Sequence, residues 1–156
     1  MKIATFGAGC FWGVQESFNR IKGVKKTTVG YMGGKIKNPT YEKVCTNKTG
    51  YIEVVQIEYD PKMVSYKELL DRFWSVHDPT QIDRQGVDAG KQYRSIIFYT
   101  DDDQRKEAEK SKEQLVNSGK YKNPIVTDIK KADVFYKAEE YHQNYIEKNK
   151  FSSCKI

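Results

Sequence analysis

The run Ile52-Glu53-Val54-Val55-Gln56-Ile57-Glu58-Tyr59-Asp60-Pro61, followed by Ser65-Tyr66-Lys67-Glu68, sets the pattern for the whole chain. Residues 52–59 are rich in β-branched and aromatic side chains, and Asp60-Pro61 ends the strand that they predict. Ser65 and Glu68 have the spacing of a capping box, which opens a helix running to about Val76. Upstream the same order recurs. Lys2 to Phe6 reads as a short strand, broken by Gly7-Ala8-Gly9. Phe11, Val14, Phe18 and Ile21 then repeat at helical spacing until Gly23 ends the helix. Lys25 to Tyr31 is a further strand, followed by a glycine-rich turn over 30–34 and an excursion over 35–50, with Asn38-Pro39 and Lys48-Thr49-Gly50 as turn signals. Downstream, His77 to Tyr93 is a long polar loop of the kind that often carries function. Arg94 to Thr100 is a strand, and Asp101 to Ser118 a polar helix closed by Gly119. Short strands are expected over Pro124–Ile129 and Asp133–Tyr136, a last helix over Ala138–Lys148, then a tail. The core order β-α-β-β-α-β predicts an α+β fold, a ferredoxin-like two-layer sandwich built on a split βαβ unit, with extra loops and a C-terminal tail. No repeat or linker divides the chain, so one domain over 1–156 is expected, with 149–156 as a mobile tail.

The formal net charge is +6, with the basic excess in the first 100 residues. The lysines are scattered among acids and form no block, so the charge reads as a solvated surface and not as a nucleic-acid footprint. No apolar run approaches the length of a membrane span, and the first residues carry too short an apolar stretch for a secretory signal. A cytoplasmic monomer is the expectation. The three cysteines, Cys10, Cys45 and Cys154, are too few and too widely spaced for a disulfide scaffold or a zinc site. Thiol chemistry in a reducing compartment fits them better.

Cys10 falls between the first strand and the first turn of the following helix. Free backbone N–H groups and the helix dipole there favour an anion, and hence a thiolate. Gly9 and Gly13 let the backbone bend and leave the sulfur open. Two other readings stand beside the nucleophile. Cys10 is also compatible with a small buried hydrophobe. Gly7-x-Gly9-x-x-x-Gly13 after a strand also resembles a phosphate-binding turn, although the spacing misses the usual dinucleotide pattern and Phe11 and Trp12 would crowd a phosphate. On the strand at 52–59, alternation puts Glu53 on the face of Val55 and Ile57. If that face is inward, the carboxyl is desolvated and holds its proton to higher pH. If it is outward, Glu53 is an ordinary solvated glutamate.

Gly9-Cys10-Phe11-Trp12-Gly13 resembles the signature of the peptide methionine sulfoxide reductase A family. The resemblance continues in order through Val29-Gly30-Tyr31-x-Gly33-Gly34, Asn38-Pro39-Thr40-Tyr41-Glu42-x-Val44-Cys45, Thr49-Gly50-x-x-Glu53-Val54-Val55 and Tyr59-Asp60-Pro61. It extends through His77-Asp78-Pro79-Thr80, Arg84-Gln85-Gly86-x-Asp88-x-Gly90-x-Gln92-Tyr93-Arg94-Ser95 and Ala138-Glu139-x-x-His142-Gln143-x-Tyr145. It implies reduction of the S epimer of methionine sulfoxide, free or in proteins, with no metal or organic cofactor. By the same resemblance Cys10 is the attacking thiolate and Glu53 the acid that protonates the departing oxygen. Tyr41 and Tyr93 hydrogen-bond that oxygen. Asp88 belongs to the pocket, Phe11 and Trp12 form the apolar wall for the S-methyl group, and Tyr145 adds to substrate binding. Cys154 is the resolving thiol, thioredoxin the reductant, and Cys45, outside the family's redox positions, is structural. The tail departs from the family in having Lys150 and Ser152 where glycines and a proline are common.

Overall fold

The computed structural model describes residues 1–46 and 48–149. The elements run β1 (Lys2–Ala8), α1 (Phe11–Asn19), β2 (Val24–Met32), α2 (Tyr41–Val44), β3 (Ile52–Tyr59), α3 (Tyr66–Ser75), β4 (Arg84–Gln85), β5 (Asp88–Ala89), β6 (Ser95–Tyr99), α4 (Asp102–Asn117), β7 (Asp128–Lys131), β8 (Tyr136–Lys137) and α5 (Tyr145–Lys148), with single 3-10 turns at Lys91–Tyr93 and Glu140–His142. The six-stranded sheet has the order β7-β6-β1-β3-β2-β8. Its inner four strands, β6-β1-β3-β2, pair antiparallel throughout, which is the split-βαβ arrangement expected from the sequence. β7 adds to β6 in parallel, and β8 closes the other edge against β2.

Alternation divides the sheet residues between two faces. One face presents Phe6, Val29, Tyr31, Val55, Ile57 and Ile97 to Phe11, Val14 and Phe18 of α1 and Leu69, Leu70 and Phe73 of α3. Phe6 is central there, its ring stacking on Phe18, Tyr66 and Phe73 at centroid distances of 5.1–6.0 Å. The other face, Met32, Ile52, Val54, Ile96 and Phe98, is covered by Ala132 and Phe135. Glu53 shares the helix-covered face, so the inward reading of its strand is the correct one.

Local signals hold where a specific side chain enforces them. Ser65 and Glu68 form the reciprocal capping box of α3, and Asp101 caps α4 by accepting from the Gln104 N–H. The structure differs from expectation at four places. The long loop over 77–93 contains the hairpin β4–β5, turned by Gly86 at φ 58, and a 3-10 turn. The strand expected over 124–129 forms at 128–131, because the Val126 N–H is taken by the Pro79 carbonyl and holds that segment to the loop; likewise the strand expected over 133–136 is the two-residue β8. The helix expected over 138–148 is broken. Gln143 turns its side chain into the sheet edge, accepting from Val29 N and donating to the carbonyls of Val29 and Ala138. Asn144 takes the left-handed conformation at φ 55, and its N–H goes to Gln15 Oε1 at 2.7 Å. Periodicity does not foresee side chains that compete for the backbone groups a helix needs.

Candidate active site

β1 delivers the chain to Gly9, whose φ of 95° suits glycine, and Cys10 is then the N-cap residue of α1. A Cβ at position 9 would sit 2.8 Å from Gln85 Cγ, so the β4–β5 hairpin closes directly onto this turn. Gln85 fixes the hairpin by accepting from Asp78 N at 2.9 Å and donating to Asp78 O at 2.6 Å. Cys10 uses its side chain for no capping bond and is 7% exposed.

Cys10, Trp12, Tyr41, Asp88 and Tyr93 line one groove of about 1110 Å³. The groove continues past Gly13 and Ser17 to Arg20 along one face of α1, and is also lined by Arg72 of α3, which donates to Ser17 Oγ at 3.3 Å. Glu53 lies beneath this surface, 1% exposed. Its Oε1 accepts from the Phe11 backbone N–H at 3.2 Å, so the first amide of α1 holds the carboxyl at the helix end that carries Cys10. Oε2 is buried and accepts no hydrogen bond from any described residue. Burial pushes the carboxyl up to about 8, against the opposing pull of the Phe11 bond and with a smaller push from Asp88. At neutral pH Glu53 is therefore a buried, protonated acid with one oxygen uncommitted.

The two phenols adjoin this acid. Burial is the main cause raising both Tyr41 and Tyr93, and the Glu53 charge is the next, so the three groups lie close together and both phenols are donors at neutral pH. Asp88 is also raised by burial. Phe11 is the core side of the site, 1% exposed, with its ring against Tyr31, Tyr41 and His142. Tyr145 stands behind Trp12, stacked on it at 3.7 Å between centroids and 10° between planes. Cys154 lies outside the described residues. Cys45 is a free, exposed thiol at the end of α2, beside Tyr41 and Gln92.

The sequence reading missed several residues. Glu139, between β8 and the 3-10 turn at 140–142, clamps the site: Tyr31 Oη donates to its Oε1 and Tyr41 N to its Oε2, each at 3.0 Å, which fixes where Tyr41 stands. His142 accepts from the Trp12 indole. Both lie in a quoted family segment, but nothing in spacing or composition marks their partners. His77 closes α3 onto the groove. Its Nδ1 donates to the Phe73 carbonyl at 2.8 Å, leaving Nε2 to accept from Ser95 Oγ at 2.7 Å. Burial lowers this imidazole from 6.5 to about 4. The unfolded chain therefore binds the extra proton first, and His77 contributes stability above pH 6.5 that is lost as the pH falls towards 4. Denaturant unfolding across that window should show a loss of stability that is roughly 3 kcal/mol smaller in a His77→Gln variant; a pH-independent difference between the two proteins would remove His77 as its source.

The family profile described as peptide methionine sulfoxide reductase matches residues 2–156. The chain belongs to the peptide methionine sulfoxide reductase family. A peptide methionine sulfoxide reductase MsrA of Methanosarcina mazei is 60% identical over 97% of this chain and 72% of its own. The one from Methanothermobacter thermautotrophicus is 57% identical over 97% and 89%. Among solved structures, reduced Mxr1 of Saccharomyces cerevisiae superimposes with a TM-score of 0.92 at 38% identity, covering 98% of this chain and 88% of that one. Mxr1 in complex with Trx2 is similar with a TM-score of 0.66 at 27% identity, covering 99% and 86%. This member of the reductase family thus combines the ferredoxin-like sheet with a cysteine at a helix N-terminus and a buried acid beneath it. Among the described residues, no helix is long and apolar enough to cross a membrane.

Proposed function

We propose that this enzyme reduces the S epimer of methionine sulfoxide, free or in oxidised proteins, in a thiol cycle recycled by thioredoxin. The observation that carries the reading is the Glu53 carboxyl: protonated at neutral pH, 1% exposed, held by the Phe11 amide next to Cys10, with Oε2 accepting no hydrogen bond from any described residue. A sulfoxide sulfur is electrophilic, but its oxygen leaves only if it is protonated. A nucleophile and an acid must therefore meet at one substrate atom.

In the reduced enzyme, the Cys10 thiolate attacks the sulfoxide sulfur while Glu53 supplies a proton to the oxygen. Tyr41 and Tyr93 donate hydrogen bonds to that oxygen as charge builds on it. Trp12, with Phe11 behind, offers the apolar surface for the S-methyl group, and Asp88 and Tyr145 shape the pocket around it. Attack joins the Cys10 sulfur to the substrate sulfur; that bond and the S–O bond then break together as the protonated oxygen passes as hydroxyl to Cys10, so the substrate sulfur regains its electron pair and leaves as the methionine thioether while Cys10 becomes a sulfenic acid. The Cys154 thiol then attacks the sulfenic sulfur, giving a Cys10–Cys154 disulfide and one water. Thioredoxin's dithiol reduces that disulfide. The relation to Mxr1, solved in complex with Trx2, supports this choice of reductant.

The groove supports a peptide-bound substrate as well as the free amino acid, because it runs past Cys10 to Arg20 and exceeds the volume of one methionine side chain. A single domain with 149–156 as the segment that carries Cys154 to Cys10, acting as a monomer in a reducing cytoplasm, completes the proposal. The test is NADPH oxidation coupled through thioredoxin and its reductase, with each epimer separately. Turnover of the S form alone is expected; equal rates on both epimers would contradict the reading.

A further inference from the structure

His142 is fully buried among Phe11, Trp12, Tyr41 and Tyr141, with ring centroids 4.0–5.7 Å away. Its Nδ1 lies 2.8 Å from Trp12 Nε1. An indole nitrogen only donates, so Nδ1 must be the unprotonated nitrogen and the ring proton sits on Nε2. Nε2 is buried and has no hydrogen-bond partner among the described residues. A phenyl ring would fill the same aromatic surroundings without burying an unpaired N–H. Among the described residues, the one hydrogen bond of this imidazole is the bond it accepts from Trp12. Tyr145 stacks on the face of the same indole. Trp12 is thereby held from its edge and from its face, and it lines the groove beside Cys10.

We infer that His142 is a positioning residue that locks the Trp12 indole in its substrate-binding orientation, and that the lock exists only while His142 is neutral with its proton on Nε2. The inference rests on Trp12 being the wall for the substrate's S-methyl group. Protonation would put a hydrogen on Nδ1, facing the indole N–H, and the bond would break. Burial opposes this protonation first, the Glu139 carboxylate favours it and the Lys148 ammonium opposes it, with the balance lowering the imidazole below its usual value of 6.5. The Tyr41 and Tyr141 phenols that pack on the ring stay neutral across this range, both being raised. The lock is closed at neutral pH and opens on acidification, well separated from the titration of Glu53 on the alkaline side.

The test compares His142→Phe, which keeps a ring but cannot accept, with His142→Asn, whose amide oxygen can. Kinetics use dithiothreitol as reductant and the S-sulfoxide as substrate. Loss of one hydrogen bond predicts KM up about tenfold in His142→Phe with kcat little changed, and return towards the wild-type KM in His142→Asn. The wild-type KM should climb as the pH falls below 6.5, and that climb should vanish in His142→Asn. Unchanged KM in His142→Phe, or an acid climb that persists in His142→Asn, would overturn the inference. If His142→Phe fails to fold, nitrogen-15 NMR of the wild-type histidines decides instead. A neutral Nε2–H tautomer at His142 is expected at pH 7, and an Nδ1–H tautomer would overturn it. Wild-type turnover on the S epimer is the separate control for the catalytic reading.

Discussion

Glu53→Ala should lower kcat on the S-sulfoxide by roughly 10²–10⁴-fold, the range for losing a positioned general acid. The folded protein should persist: the change leaves the buried Phe11 N–H without its acceptor, a cost of about 1–3 kcal/mol, while removing a buried carboxyl whose Oε2 has no hydrogen-bond partner among the described residues. The pH dependence has a definite sign. Reaction needs the protonated acid, so the wild-type rate should be full below the Glu53 value of about 8 and fall as the pH rises through it. Glu53→Gln keeps an oxygen for the Phe11 N–H and an amide donor for the substrate oxygen, so it should retain part of the activity while losing the alkaline limb. Stopped-flow measurement of methionine release from pH 6 to 10 separates these cases. An alkaline limb that survives in Glu53→Gln would place the acid elsewhere.

Cys154→Ser should abolish thioredoxin-driven turnover while preserving one stoichiometric round of methionine release. The first half of the cycle needs only Cys10, Glu53 and the phenols, and the second needs a thiol to remove the sulfenic oxygen as water. Rapid quench with limiting enzyme should therefore give one equivalent of methionine and then stop. Unchanged steady-state turnover with thioredoxin would show that Cys154 is not the resolving thiol. The free Cys45 beside Tyr41 is then the nearest other candidate, and a Cys45→Ser variant identifies it.

How much of this could be read from the sequence depends on how local each cause is. The strand at 52–59 and the Ser65 capping box lie within a few residues of their determinants, and both form as expected. Alternation correctly limited Glu53 to the face of Val55 and Ile57, but only the sheet order decides that this face lies beneath α1. The place of Cys10 at a strand-to-helix turn was also legible, because Gly9 and the start of α1 are adjacent to it. Long-range partners were not. The Phe11–Glu53 bond spans 42 residues, and the Trp12–His142 bond spans 130. No period connects such positions. The broken helix after Ala138 shows the same limit in reverse: its residues carry a helical pattern, yet Gln143 finds stronger partners at the edge of β2. The family resemblance supplied the residue types of the pocket, while the roles of Glu139 and His142 emerge only from their contacts.

The most direct measurement is where the oxygen goes. Cys154→Ser enzyme, fully reduced and free of reductant, is mixed with one equivalent of peptide carrying methionine S-sulfoxide and trapped with dimedone, and its proteolytic fragments are weighed. Thiolate attack by Cys10 predicts the sulfenic-acid adduct on the fragment containing Gly9-Cys10-Phe11-Trp12, in equal amount to the methionine released. An adduct on the Cys45 fragment, or methionine released with Cys10 unmodified, would contradict it.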